Sequence, residues 1–392
     1  MVKGWPTVPI GDILDFKNGL NKGKEYFGHG TPIVNYTDVY HHSGLFASDI
    51  KGTVSLSRDE IKRFEVRKND IFFTRTSETP EEVGLSAVLL EEIPDCVFSG
   101  FVLRGRPKND ILIPEYCKYC FSAKDVREKI ISNCTYTTRA LTNGRVLSEI
   151  EIPIPPKAEQ KAIADALTDM EIHISNLTEL IEKKKVIRDG ALEDLVNGRI
   201  RINGCDFSWV QIELSNVASY RKERTVCSRT QYVSTENMNQ MFSGIVPYTA
   251  SEPTTGIAFS PGDTLIANIR PYLKKVWYAE FSGVCSADVL ALVGNDKIVP
   301  RLLYYCLAND RFINYVMTGG VKGIKMPRGD KGYIMQYPLL IPLHISEQEA
   351  IAGMIAAMDE EIQNLKVERD KMIQIREGAM DDLLTGRVRL RA

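Results

Sequence analysis

The chain has 392 residues with 44% apolar and 26% charged side chains, so it exceeds one ordinary core and predicts a globular protein of two or more domains. Its 49 basic side chains nearly balance 51 acidic ones at a net charge of −2, which excludes a globally cationic nucleic-acid binder and leaves only a local patch for such a role. No run approaches membrane-span length and Met1-Val2-Lys3-Gly4-Trp5-Pro6 carry no secretory pattern, so the expectation is a cytoplasmic protein without a membrane partner.

Residues 1–156 read as a first globular head. Trp5, Val8, Ile10 and Ile13 open it. Short apolar runs at 32–36, 70–75, 87–90 and 98–103, bounded by Gly, Pro, Asn and Asp, predict strands. A helix is expected from Pro114 towards Ile131, followed by a polar loop at 133–139. Ile152-Pro153-Ile154-Pro155-Pro156 then forms an extended hinge. Beyond the hinge, in residues 157–203, apolar positions step by fours and threes. Ile163, Leu167, Met170, Ile174, Leu177 and Ile181 fall on one helical stripe that continues through Lys184, Arg188, Ala191 and Leu195. A helix of about 39 residues would be roughly 58 Å long.

Residues 204–345 repeat the plan of the first head with little identity: Trp209 stands for Trp5, and Gly262-Asp263-Thr264-Leu265-Ile266-Ala267 for Asn69-Asp70-Ile71-Phe72-Phe73-Thr74. Residues 346–392 repeat the helix closely. Gly190-Ala191-Leu192-Glu193-Asp194-Leu195-Val196-Asn197-Gly198-Arg199-Ile200-Arg201 returns as Gly378-Ala379-Met380-Asp381-Asp382-Leu383-Leu384-Thr385-Gly386-Arg387-Val388-Arg389, offset by 188, and Glu159-Gln160 meets Glu347-Gln348 at the same offset. The second stripe runs through Ile351, Ile355, Met358, Ile362, Leu365, Arg369, Met372, Arg376, Ala379 and Leu383. Ser346 with Glu349 has the pattern of a capping box, and Gly198 and Gly386 stand where a left-handed residue ends a helix. The chain is a tandem duplication. Its expected class is mixed α+β: two α/β heads and two long helices that pair as an antiparallel coiled coil about a pseudo-twofold axis. Arg188 and Arg376 fall on the seam, where the helices are expected to diverge and leave them to acidic partners or solvent.

Catalytic patterns are missing. There is no phosphate loop, His-Glu-x-x-His or Gly-x-Ser-x-Gly. The five histidines do not cluster, and the eight scattered cysteines read as core thiols, Cys117 and Cys120 included, so no metal ligand set is assigned. Asn268-Ile269-Arg270-Pro271-Tyr272 only superficially matches a methyltransferase loop, with the wrong spacing and no glycine-rich cofactor loop before it. The heads instead carry basic, aromatic and glycine-rich loops suited to phosphates and base edges. The candidates are Arg75, Tyr136, Arg139 and Arg145 in the first head. In the second they are Arg270, Tyr272 and Lys274, with neighbouring Lys275, and Lys322, Lys325 and Arg328 in the loop 318–332 that ends near Lys331.

With the duplication, the hinges, Glu159-Gln160 and Glu347-Gln348, and the helix ends Gly198-Arg199 and Gly386-Arg387 in view, the whole chain resembles the specificity subunit of type I restriction-modification systems. Residues 262–273 are similar to a recurrent stretch of its target recognition domains. The resemblance implies a non-catalytic subunit whose two target recognition domains (1–156 and 204–345) each read half of a split, asymmetric duplex-DNA site. The spacer helices (157–203 and 346–392) would set the gap and dock two modification subunits. It also implies restriction and translocase subunits, with S-adenosylmethionine, ATP and Mg held by partners and no cofactor in this chain. The alternative reading is a coiled-coil scaffold whose heads bind protein or carbohydrate. A self-contained methyltransferase would need the cofactor loop that is missing.

Overall fold

The structure, a computed structural model, describes residues 4–136, 138–202, 208–319 and 327–390. Packing divides it into two units: the described residues of Met1–Thr178 with those of Glu368–Ala392, and those of Glu179–Val367. In the first unit the main sheet has the strand order Leu14–Asn18, Val102–Pro107, Ile71–Thr74, Ser86–Leu89, Gly44–Leu45. Its centre, Ile71–Thr74, is buried throughout, as the run of β-favouring residues between Asp70 and Arg75 requires. Side chains alternate across the strand. Ile71 and Phe73 join the core beneath the long helices, whereas Phe72 joins a second core with Val34, Phe98 and Val102.

The second unit repeats this arrangement. Its sheet runs Ala218–Tyr220, Val289–Gly294, Thr264–Ala267, Val276–Tyr278. The register is the same, with Ala267 opposite Val289 as Thr74 is opposite Val102. Here Ile266 faces the helix-side core, and Leu265 and Ala267 face the outer one.

The long helices are Lys157–Val196 and Ile345–Leu384, 40 residues each. Within each unit they run antiparallel. In the first, Ile163, Ala164 and Leu167 share a core with Leu383 and Leu384, and His173 lies 3.7 Å from Glu368. In the second, Leu192, Leu195 and Val196 share a core with Ile351, Ala352 and Ile355. Leu177, Ile181 and Ile362 are buried, while Met170, Ile174, Met358 and Leu365 are half-buried. The outer turns of each stripe therefore serve the adjoining head as well as the partner helix. Arg188 does not turn to solvent: its guanidinium chelates Asp359 of the second helix (2.7 and 3.3 Å), whose carboxylate also accepts from Tyr305 (2.8 Å).

A joint is built twice, where each long helix begins. Glu159 is buried and accepts from the Trp5 indole (3.1 Å) and from Arg389 (2.5 and 2.7 Å). Glu347, also buried, accepts from Trp209 (3.0 Å) and Arg201 (3.0 and 3.3 Å). Each arginine lies over the ring of the tryptophan, 5.0 Å from Trp5 and 5.2 Å from Trp209. Gln160 beside the first glutamate accepts from the Ile113 amide and donates to the carbonyls of Ile111 and Pro155. Gln348 does the same with Val299, Lys297 and Pro342. Gly198 and Gly386 end the helices in the left-handed region (φ 65° and 70°), and a Cβ there would meet the Trp209 and Trp5 rings at 3.2 and 3.1 Å.

Two local expectations are corrected. The second helix starts at Ile345, so Ser346 is its second residue and not a cap. The expected helix from Pro114 to Ile131 is broken into Pro114–Cys117, a 3-10 turn at Cys120–Ser122, and Lys124–Ser132. Two observations account for the break: Ala123 is extended (ψ 136°), and Tyr119 is held by Thr168 and Glu171 of the long helix. Cys117, Cys120 and Cys306 are buried free thiols. No helix among the described residues is long and apolar enough to cross a membrane.

Candidate nucleic-acid interface

Each head positions one loop by pinning both ends of its central strand. At the start, Asp70 is buried and chelated by Arg106 (2.8 and 2.7 Å), and it accepts the Arg67 amide (2.8 Å). Its carboxylate is the main reason the Arg106 guanidinium holds its proton more tightly than usual. Asp263 is the counterpart, held by Arg221 (2.9 and 3.0 Å) and by the Ser260 amide (2.8 Å). The preceding residue is left-handed in both heads: Asn69 at φ 72° and Gly262 at φ 93°.

At the far end the strand opens onto a rim. The Arg75 amide donates to the carbonyl of Phe101, and the Arg75 carbonyl accepts from Thr142, both at 3.0 Å. The Asn268 amide donates to Asp288 (2.8 Å), and its carbonyl accepts from Gly329 (3.2 Å). The strand end is thus flanked on one side by a turn, Ser99–Val102 or Ser286–Val289, closed by Val102 N–H to Ser99 and Val289 N–H to Ser286. On the other side lies a loop that leads into a short helix. That helix is N-capped by Asn143 in the first head and Asp330 in the second.

The structure places the candidate residues unevenly on these rims. In the first head Arg75 is half-buried, with its Nη1 3.4 Å from the Gly100 carbonyl. Tyr136 sits on a two-residue strand, Thr135–Tyr136, paired with Ala140–Leu141, which pairs in turn with Thr76–Ser77. Tyr136 and Arg139 are exposed there. Arg145 is one step removed, on the short helix, where it meets Glu149 in a solvated pair.

In the second head the backbone brings Arg270 and Arg328 together, with Tyr272 two residues beyond Arg270. The Arg270 amide donates to Pro327 (2.9 Å), Ile269 bridges Arg328, and the Arg328 guanidinium is 3.1 Å from Asp288. Arg270 and Tyr272 are exposed. Lys274 carries an ion pair, its ammonium 2.7 Å from the exposed carboxylate of Asp310. Lys275 is used internally, donating to the Thr235 carbonyl (2.6 Å). Burial, and then the nearby Arg270 charge, make its proton easier to lose than usual. Lys322 and Lys325 lie outside the described residues.

Sequence reasoning missed a strained segment on this rim. Arg270, Lys274, Met241 and Phe242 all have left-handed φ between 52° and 57°, a conformation that costs a non-glycine residue about 1 kcal/mol or more. They are stitched to each other: the Met241 amide donates to Leu273 (3.1 Å) and that of Phe242 to Lys274 (2.9 Å). Met241 is left exposed. Neither its residue type nor its spacing signals this. Also missed were Phe101 and Asp288, whose roles depend on the turn that carries them. Among the described residues no three His, Cys, Asp or Glu side chains gather to hold a metal ion.

The rim is built twice, once in each head, and comparison with known proteins bears on what the chain is similar to. The model for the type I restriction modification DNA specificity domain matches residues 2–186. The type I restriction enzyme MjaVIII specificity subunit of Methanocaldococcus jannaschii is 22% identical over 425 residues, taking in 99% of this chain and 93% of the relative. The first half of the chain thus matches the DNA specificity domain, and the chain over its whole length is similar to type I restriction enzyme specificity subunits. Two solved structures share its fold. The S subunit of a type I restriction-modification system from M. genitalium has a TM-score of 0.57 at 17% identity, covering 97% of this chain and 96% of that one. The HsdS subunit from Thermoanaerobacter tengcongensis has a TM-score of 0.53 at 15% identity, covering 98% of each. A specificity subunit is a DNA-recognition component and not a catalyst, in keeping with rims that present hydrogen-bonding and aromatic side chains. The reading as a scaffold for protein or carbohydrate is not favoured.

Proposed function

We propose that this chain acts as a specificity subunit, that each head reads one half of a bipartite, asymmetric duplex-DNA site, and that the paired helices set the gap between halves and dock two modification subunits. The observation that carries this reading is the rim itself, built twice by matching backbone hydrogen bonds yet furnished with different side chains. A shared frame with unlike chemistry suits two different half-sites. Exposed Tyr136 and Arg139 on one rim, and Arg270, Tyr272 and Arg328 on the other, supply donors, aromatic faces and charge for base edges and phosphates. Helices of 40 residues, about 60 Å at 1.5 Å per residue, are long enough to separate two contacts by one DNA turn of roughly 34 Å. Adenine methylation, with S-adenosylmethionine, belongs in this proposal to the modification subunits. ATP- and Mg-dependent translocation and cleavage belong to restriction subunits, all in the cytoplasm.

The test is to co-express the chain with its modification subunit and sequence the host DNA for N6-methyladenine. A split motif with unlike halves is the expected result. An assembled complex that leaves no new methylation would remove the DNA-reading function.

A further inference from the structure

Phe101 and Asp288 occupy the same place in the two heads. Each is the third residue of a four-residue turn, Ser99–Val102 or Ser286–Val289, and each offers its carbonyl to the amide that ends the central strand, Arg75 or Asn268. Their side chains could hardly differ more. Phe101 is 61% exposed, more than any other large apolar side chain among the described residues of the first head, and Tyr136 on the same rim follows at 58%. A phenyl ring left in water, on a turn whose Ser99 and Val102 are buried, is not explained by the core it leaves unused. Asp288 instead reaches across the strand end to Arg328 at 3.1 Å, and both side chains stay open to solvent.

We propose that this position sets which base each head prefers, an inference that rests on the DNA-reading function above. Phe101 makes an apolar contact with the 5-methyl group of thymine. Asp288 acts as a positioning residue: it engages one edge of the Arg328 guanidinium and leaves a fork of N–H donors to meet the O6 and N7 acceptors of guanine. The two contacts differ because the strand-end residue differs as well. Arg75 is drawn inward towards Gly100, so the first rim presents the ring. Asn268 is nearly buried, so the second rim presents the ion pair.

The test uses the full chain assembled with its modification subunit and duplexes carrying the motif that the complex methylates. Each thymine is replaced in turn by deoxyuridine, which lacks only the methyl group, and each guanine by 7-deazaguanine, which lacks only N7. One deoxyuridine should weaken binding about fourfold, the worth of one buried methyl group. Phe101→Ala should bind the thymine and deoxyuridine duplexes equally. One 7-deazaguanine, in the other half, should weaken binding about tenfold, and Asp288→Ala should reduce that discrimination. Both side chains are on the surface, so the variants should fold, and the modified duplexes need no variant at all. The proposal is overturned if no deoxyuridine matters to the wild-type complex. It is also overturned if the sensitivities survive the substitutions, or if both variants act on the same half. A wild-type complex with no motif would instead remove the DNA-reading function itself.

Discussion

Where the long helices begin, a tryptophan, a glutamate and an arginine meet with the same bonds in both copies, and the neighbouring glutamine ties down the same three backbone groups. On the rims the backbone bonds also match, but phenylalanine stands where aspartate does and arginine where asparagine does. Joint and rim therefore obey different constraints. A buried carboxylate needs its partners wherever it occurs, because losing one strands a charge away from water. An exposed rim side chain such as Phe101 owes nothing to its neighbours, so the two copies are free to differ there.

That contrast can be broken experimentally. The largest effect should come from replacing residues 208–343 with the head of another specificity subunit. One half of the methylated motif should change and the other persist, with binding to the original site falling about a thousandfold or more. A change in both halves would show that the heads do not read independently. Next in size are the joints. Glu347→Ala should cost about 3–5 kcal/mol of stability by denaturant titration, and Glu159→Ala a similar amount. Gln160→Ala and Gln348→Ala should cost about 1–3 kcal/mol each, since each leaves backbone groups unpaired. Unequal losses between the copies would mean that matching bonds do not carry matching energies. On the rim, Arg270→Ala and Tyr272→Ala should leave the unfolding midpoint almost unmoved while weakening DNA binding by about 1–3 kcal/mol, measured by titration with the motif duplex.

The smallest effect is a pH dependence. Hydrogen bonds from Arg389 hold the Glu159 carboxyl below the usual carboxylate range; burial opposes them and the Trp5 N–H adds to them. A carboxyl depressed in the folded state lends stability that is complete above its unfolded value, near 4.5, and is lost as the pH falls towards the depressed one. Stability measured from pH 6 down to pH 3 should therefore fall more steeply for the native chain than for Glu159→Gln. Parallel curves would show that this carboxylate contributes nothing to acid sensitivity.

Much of the frame was legible in the sequence because it rests on local pattern. The heptad steps placed the long helices within a residue or two, and the repeated Gly-Arg marked their ends, with φ of 65° and 70° at Gly198 and Gly386. Charge on a seam was visible at Arg188, but its partner was not, since Asp359 lies 171 residues away and only folding brings the two together. The same limit applied to the rims. Arg270 and Tyr272 stand out as basic and aromatic residues in a loop. Lys274 stands out equally, but its pairing with Asp310 does not show in the sequence. Phe101 reads as one more apolar residue of the strand expected at 98–103 until the turn that turns it outward is known. Met241 and Phe242 gave no sign of a left-handed backbone, which proteins mark most often with glycine.

The division of the described residues into 179–367 and the segments on either side of it has a consequence for the order of assembly. The second unit is continuous and lies nested within the sequence of the first. During synthesis the first head emerges before the second, yet its core lacks Leu383 and Leu384, and Glu159 lacks Arg389, until the second long helix has been made as well. The later head has every part of its own core once residue 367 has passed. Folding that follows the ribosome would thus complete the younger head first and close the elder one last, over the long sequence separation that makes such contacts slow.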